Sequence, residues 1–132
     1  MVVRTSLNLD VGQPDVGLHG AEPALLARID QIQDGGFAVA EGVLDGDAES
    51  LILHRNGDRV RAWLNVCPHA GRRLDWAPGK FLKSRDGLLV CAVHGASFEL
   101  QQGECVAGPC RGDRLRAVAV QVRDGSVFIA HA

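Results

Sequence analysis

The chain has 132 residues, with 14 Lys and Arg against 16 Asp and Glu, and a formal net charge of −2 at pH 7. This length suits one domain that buries roughly 60% or more of its unfolded surface. No apolar run approaches the ~20 residues of a membrane span, and no basic stretch carries the interleaved aromatic residues of nucleic-acid binding. We therefore expect one domain that binds neither membrane nor nucleic acid.

The first 24 residues differ in character from the rest. Five Gly and Pro residues break any periodicity there: Gly12, Pro14, Gly17, Gly20 and Pro23. We expect residues 1–24 to be an N-terminal extension, either a loosely ordered leader or an arm that packs on the domain or a partner. Residues 25–132 then form the domain. The start of the chain lacks the charged and apolar segments of a signal peptide, which favours a cytoplasmic protein.

Strand and turn signals dominate the middle of the chain. Residues 51–55 and 59–63 are strand-like and flank Asn56-Gly57, a dipeptide that accepts the positive φ angles of a type I′ turn. This pattern predicts a β-hairpin. Two shorter strands are predicted at 37–40 and 88–90.

A second hairpin is predicted near the end of the chain. Asp124-Gly125 is a strong turn signal. Apolar residues alternate on both sides of it, at Val118, Val120, Val122, Val127 and Ile129. With so few helix signals, we predict an all-β fold of small antiparallel sheets, with loops projecting from one end.

Two short runs supply thiolate and imidazole groups at metal-ligand spacing. They are Cys67-Pro68-His69 and Cys91-Ala92-Val93-His94. Each run contains one cysteine and one histidine, whereas a zinc finger usually takes two cysteine ligands from one run and two histidine ligands from the other. Two cysteines and two histidines are the ligand set of a Rieske [2Fe-2S] centre. Each run follows a predicted strand, and we expect those two strands to be neighbours that hold the loops across one cluster.

With Gly95 after the second run and the later Gly108-Pro109-Cys110, the two runs resemble a Rieske-type ferredoxin domain over about residues 25–129. The resemblance implies a Rieske-like fold whose cluster-binding subdomain spans about 66–111 and carries one [2Fe-2S] cluster.

By the same resemblance, Cys67 and Cys91 bind the inner iron, whereas His69 and His94 bind the outer iron near solvent. Gly71 and Gly95 would let each loop turn tightly.

The predicted reduction potential is low for this family. Rieske centres span roughly −150 to +300 mV. High-potential members carry a disulfide beside the cluster and hydroxyl donors after the second histidine. The matching positions here hold Arg72 and Val93, then Ala96 and Phe98, and the chain contains no tyrosine. Losing such donors destabilises the reduced, more negative cluster.

What the chain lacks narrows its function. The residues left after the Rieske-like region are too few for a mononuclear iron site with a substrate pocket, and no Gly-rich nucleotide motif is present. We predict a one-electron carrier, not itself an enzyme, that links a flavin-containing reductase to a terminal oxygenase or similar acceptor. The alternatives are an accessory or regulatory Rieske subunit of a larger redox enzyme, and a zinc-stabilised interaction module.

Several other residues receive expectations. Residues 66–116 hold eight basic and five acidic side chains, which form either a positive docking face for an acidic partner or ordinary solvated loops. We expect Cys105 and Cys110 to be buried thiols, the alternatives being a second metal pair or a redox-active dithiol. Trp76 is expected in the core. The histidines outside the two runs are expected at the surface: His19, His54 and His131.

Overall fold

A computed structural model describes residues 25–68, 71–91 and 95–130, together with the backbone of residues 2–3 and 5–6. The rest of the predicted extension, residues 1–24, lies outside this part. Strands and one 3-10 helix (Ile29–Gln31) follow in this order: β1 (Val2–Val3), β2 (Thr5–Ser6), β3 (Leu25–Arg28), β4 (Phe37–Leu44), β5 (Asp47–Asn56), β6 (Arg59–Leu64), β7 (Leu82–Lys83), β8 (Leu89–Val90), β9 (Ser97–Phe98), β10 (Cys105–Ala107), β11 (Ala117–Val118), β12 (Val120–Arg123) and β13 (Ser126–Ile129). No helix within the described ranges is long and apolar enough to cross a membrane.

The hairpin of β5 and β6 confirms the first predicted hairpin but corrects its turn. Asn56 pairs with Arg59, so the two-residue turn is Gly57-Asp58, one position later than expected. Gly57 has φ +65°, whereas Asp58 is not among the residues with positive φ. This order of φ signs belongs to a type II′ turn, which takes Gly at its first central position. The predicted type I′ turn was therefore wrong.

The hairpin of β12 and β13 forms as predicted. Arg123 pairs with Ser126 across the turn. Asp124 and Gly125 have φ angles of 51° and 77°, which is the pair of positive values that a type I′ turn requires.

Three small antiparallel sheets confirm the predicted all-β fold. Their strand orders are β11-β6-β5-β4, β10-β9-β8-β7 and β12-β13-β3, and the only parallel pair in the described part is β1 with β2. The strands that precede the two ligand runs, β6 and β8, lie in different sheets. The expectation that they are neighbours was wrong, because β8 pairs locally with β7 and β9 while β6 pairs with β5 and β11.

The sheet that contains β5 and β6 contributes to two buried clusters, since alternate side chains of a strand lie on opposite faces. Ile52 and Trp63 belong to one cluster, whereas Leu51, Leu53 and Ala62 belong to the other. The first cluster also holds all four cysteines of the chain. The sheet thus joins the cysteine-rich half of the molecule to the rest of the core.

His54 is buried, which corrects its predicted place at the surface. It lies in β5 with 8% of its surface exposed, and its ring centre is 4.9 Å from that of Phe37. Its Nδ1 atom has no hydrogen-bond partner among the described residues. Phe37, which is paired with His54 across β4 and β5, packs its ring against the imidazole and helps to cover it. His19 and His131 lie outside the described residues.

Candidate functional site

The first ligand run begins just after β6, as predicted. Cys67 is fully buried. Its backbone N–H donates to the carbonyl of Arg72 at 2.7 Å, and its own carbonyl accepts from the N–H of Gly71 at 2.8 Å. Gly71 has φ +67°, a conformation that favours glycine. A tight closed turn therefore starts at the cysteine.

The second run repeats this arrangement directly after β8. Cys91 is buried, and its N–H donates to the carbonyl of Ala96 at 2.7 Å. Its carbonyl accepts from the N–H of Gly95 at 2.9 Å, and Gly95 has φ +72°. The two loops share one backbone pattern, in which a buried cysteine is hydrogen-bonded to the fourth and fifth residues after it. The predicted tight turns at Gly71 and Gly95 are confirmed.

Both predicted cysteine ligands lie in the same buried cluster. Its members are Ile52, Trp63, Cys67, Leu74, Leu89, Cys91, Ala96, Phe98, Cys105, Cys110 and Leu115. The two predicted histidine ligands, His69 and His94, lie outside the described residues. Among residues 25–68, 71–91 and 95–130, no three His, Cys, Asp or Glu side chains are grouped to hold a metal ion.

A third loop, residues 108–116 between β10 and β11, packs against the second ligand loop, which begins at Cys91. A Cβ atom placed on Gly108 would lie 2.8 Å from the Cα of Ala96, so only glycine allows this approach. Cys105 and Cys110, on either side of Gly108, are both buried. The Sγ of Cys105 donates to the carbonyl of Ala107 at 3.3 Å. The prediction that these two cysteines are buried thiols is confirmed.

The Cys110 thiol stays protonated. Burial is the main cause that raises its pKa to about 12, and a hydrogen bond with Cys105 and the nearby Cys67 add to it. A thiol with such a pKa is a poor nucleophile, since nucleophilic attack requires the thiolate.

Polar side chains that were not predicted from the sequence hold the first ligand loop, which runs from Cys67 to Leu74, in place. Asn65 is buried, and its Oδ1 accepts from the N–H of Leu74 at 2.8 Å. Its Nδ2 donates to Asp75 Oδ1 at 3.1 Å and to Ser50 Oγ at 3.3 Å. Arg73 donates to both carboxylate oxygens of Asp75, at 2.9 and 2.8 Å. We call Asn65, Arg73 and Asp75 the loop brace.

The carboxylate of Asp75 is nearly enclosed by its hydrogen-bond partners. Its side chain is 1% exposed, and the N–H of Gly79 donates to Oδ2 at 3.1 Å. Burial by itself would raise the pKa of Asp75, but the hydrogen bonds from Arg73, Asn65 and Gly79 outweigh it and lower that pKa. The alternation Arg73-x-Asp75 was the only signal in the sequence, and charge pairs two residues apart are too common to identify a buried network.

Trp76 is exposed, so its predicted place in the core was wrong. The side chain is 58% exposed. It lies in a turn whose backbone is closed by hydrogen bonds from Trp76 N–H to the Lys80 carbonyl, and from Lys80 N–H to the Ala77 carbonyl. The core position under the first ligand loop belongs to Leu74, which is fully buried.

Comparison with known proteins agrees with this arrangement. A family model described as Rieske [2Fe-2S] domain matches residues 22–123. The ferredoxin of carbazole 1,9a-dioxygenase from Nocardioides aromaticivorans IC177 is 27% identical, with a TM-score of 0.64, and the match covers 83% of this chain and 98% of that one. For the ferredoxin of Sphingomonas yanoikuyae B1 the identity is 21%, the TM-score 0.61 and the coverage 84% and 100%.

One curated relative is much larger. The carnitine monooxygenase oxygenase subunit of Escherichia coli (strain K12) is 33% identical over an alignment of 90 residues, and the match covers 61% of this chain. The match spans 23% of that subunit, so the chain corresponds to about a quarter of its length.

Proposed function

Because the chain belongs to the Rieske [2Fe-2S] domain family, we propose that it is a low-potential one-electron carrier between a flavin-containing reductase and a terminal oxygenase or similar acceptor. A Rieske domain binds a [2Fe-2S] cluster, which supplies one-electron redox chemistry. The observation that carries the proposal is the pair of matching turns, each of which begins at a buried cysteine in one shared core.

The residues present fit such a cluster, and we assign Cys67, His69, Cys91 and His94 as its ligands. Thiolates suit iron–sulfur clusters, and both cysteines lie where water is excluded. The hydrogen-bonded turns fix the backbone at each cysteine. A rigid ligand frame favours fast electron transfer, because little rearrangement accompanies the change of oxidation state.

The surroundings of Cys91 support a low potential. Ala96 and Phe98, where high-potential members carry hydroxyl groups, are fully buried apolar residues. Neither side chain can donate a hydrogen bond to sulfur. Since such donors stabilise the reduced, more negative cluster, their absence at these two positions lowers the potential.

The choice of partners rests on the relatives. A ferredoxin that the match covers almost completely is a component of carbazole 1,9a-dioxygenase, which supports an oxygenase as electron acceptor. Arg72 and Arg111, exposed residues of the first and third loops, support an acidic docking partner. The proposal also places the carrier in a reducing compartment, the cytoplasm, because its ligand thiols must stay reduced to bind metal.

A second candidate function is an accessory Rieske subunit of a larger redox enzyme. The match to a carnitine monooxygenase oxygenase subunit favours it, because there the matched region is one part of a larger chain. The two functions differ in whether the protein changes its binding partner during turnover. A carrier is reduced by one protein and reoxidised by another while free in between, whereas a subunit stays bound to one enzyme during turnover.

A potentiometric titration tests the carrier function. We expect a single one-electron wave near the lower end of the roughly −150 to +300 mV range. Phe98→Tyr, which adds a hydroxyl beside the second ligand loop, should raise the midpoint. The shift should be on the order of 60 mV, because a hydrogen bond to a charged group contributes about 1.5 kcal/mol or more.

Phe128→Tyr is the matched control, because it adds the same hydroxyl to β13 in another sheet. It should leave the midpoint unchanged. A two-electron wave, or no wave between the limits of the range, would count against a Rieske carrier. Equal midpoints for Phe98→Tyr and wild type would refute the explanation of the low potential.

A further inference from the structure

The loop brace connects both ends of the first ligand loop. Asn65 lies two residues before Cys67, and its side-chain oxygen accepts the N–H of Leu74 at the far end of the loop. The backbone N–H of Asn65 donates to the carbonyl of Ser50 at 2.9 Å, and its side chain donates to the hydroxyl of the same serine. One buried amide therefore ties the loop to itself and to strand β5.

Asp75 holds that amide in its orientation. The Asn65 side chain donates to Asp75, and the bidentate contact from Arg73 fixes the carboxylate in turn. Such paired hydrogen bonds between guanidinium and carboxylate are geometrically specific. The carboxylate is almost fully enclosed, whereas the side chain of Arg73 is 48% exposed. The half-exposed guanidinium of Arg73 therefore fixes the buried contact between Asp75 and Asn65.

We propose that Asn65 and Asp75 are positioning residues that set the place of Cys67 against the cluster. This inference rests on the proposed ligand set. It adds two residues that touch neither iron nor sulfide and act through the backbone of the loop. Outer partners that orient metal ligands typically contribute 10- to 100-fold in metal affinity or activity.

The carboxylate of Asp75 cannot be replaced by an amide without loss. It accepts four hydrogen bonds: from Asn65, two from Arg73, and from the N–H of Gly79. An asparagine at this position offers one acceptor oxygen and brings a donor group next to two other donors. In Asp75→Asn the new NH2 group faces two donors in either orientation, so two of the four hydrogen bonds are lost, the contact with Asn65 is no longer fixed from both sides, and the loop that carries Cys67 loosens.

The experiment compares Asp75→Asn with Glu99→Gln in the cluster-loaded protein. Glu99 is a matched control, because its carboxylate also accepts several hydrogen bonds, in this case from backbone N–H groups, and also has a pKa that is lowered although burial opposes that direction. It lies in the β9–β10 turn, outside the first ligand loop. The measurements are the EPR g values after dithionite reduction, the rate of cluster loss in air, and thermal unfolding.

Asp75→Asn should change the g values and speed cluster loss by about 10- to 100-fold. Glu99→Gln should keep wild-type g values even if its thermal stability is lower than that of wild type. If Asp75→Asn does not fold, Arg73→Gln serves instead, since it removes only the outer ion pair and should shift the g values in a milder way.

Wild-type g values and cluster lifetime in Asp75→Asn, or in Arg73→Gln where the first variant does not fold, would overturn the positioning role alone. The same g-value change in Glu99→Gln would also overturn it, because loss of stability would then suffice. A wild-type protein that holds no cluster would instead refute the proposed function and, with it, this inference.

Discussion

At the scale of single residues, His54 is a buried base whose Nδ1 atom has no hydrogen-bond partner among the described residues. It lies in β5, paired with Phe37 of β4 and Arg61 of β6. Burial is the main cause that lowers its pKa below the ordinary 6.5, and the charges of Lys83 and Arg61 act in the same direction. A hydrogen bond with the backbone of Gly35 and the charge of Asp34 oppose this. The folded chain therefore keeps the imidazole neutral.

This burial makes stability depend on pH. Well above pH 6.5 the imidazole is neutral in both states, so it contributes no pH dependence there. As the pH falls through 6.5, the unfolded chain binds a proton that the folded chain resists, so the free energy of unfolding decreases until the lower folded pKa is reached.

We predict that His54→Leu removes this component of the acid sensitivity. Chemical denaturation of both proteins between pH 5 and 8 measures it. The difference in free energy of unfolding between wild type and variant should be constant above about pH 7 and should shift in favour of the variant below about pH 6. Parallel pH profiles would show that the His54 imidazole is not the titrating group.

At the scale of elements, the third loop acts as a cover for the second ligand loop. Gly108 has φ +98° and approaches the backbone of Ala96, whereas Gly112 has φ +97° with open space around it. These two glycines therefore share a backbone conformation and differ in packing. Their comparison separates the cost of conformation from the cost of displacing the loop.

We predict that Gly108→Ala is the more harmful change. Both alanine variants adopt a conformation that disfavours L residues, at a cost of roughly 1–2 kcal/mol. Gly108→Ala must also move the third loop away from Ala96, which opens the region around Cys91. Chemical denaturation should show the larger loss for this variant, and its cluster should decay faster in air. Equal effects of Gly108→Ala and Gly112→Ala would contradict the covering role.

Local signals account for the parts of the fold that the sequence predicted correctly. Gly57 and the pair Asp124-Gly125 mark the two hairpins because few residues accept positive φ, and the ligand runs stand out by their spacing. Which sheet a strand joins depends on distant partners, so the relation of β6 to β8 could not be inferred. The buried position of Asn65 also could not be inferred from the sequence, because asparagine is common in exposed turns and loops.

At the scale of the whole molecule, the cysteine-rich cluster and the second core share one sheet. Ile52 and Trp63 belong to the first cluster, and their neighbours Leu51 and Ala62 to the second. Strand β6 leads into the first ligand loop, so a loss of order there reaches both buried clusters through this strand. If Cys67 and Cys91 hold the cluster as proposed, their shared buried core keeps both cysteines fixed, which favours electron transfer.

The central claim is that this molecule holds a Rieske cluster. EPR spectroscopy of the purified protein before and after dithionite reduction, with iron and acid-labile sulfide assayed on the same sample, tests it most directly. We predict a silent oxidised form and a rhombic reduced signal whose average g is below that of all-cysteine clusters, with two irons and two sulfides per chain. A colourless protein that carries zinc, or one that binds no metal after anaerobic reconstitution, would contradict the account.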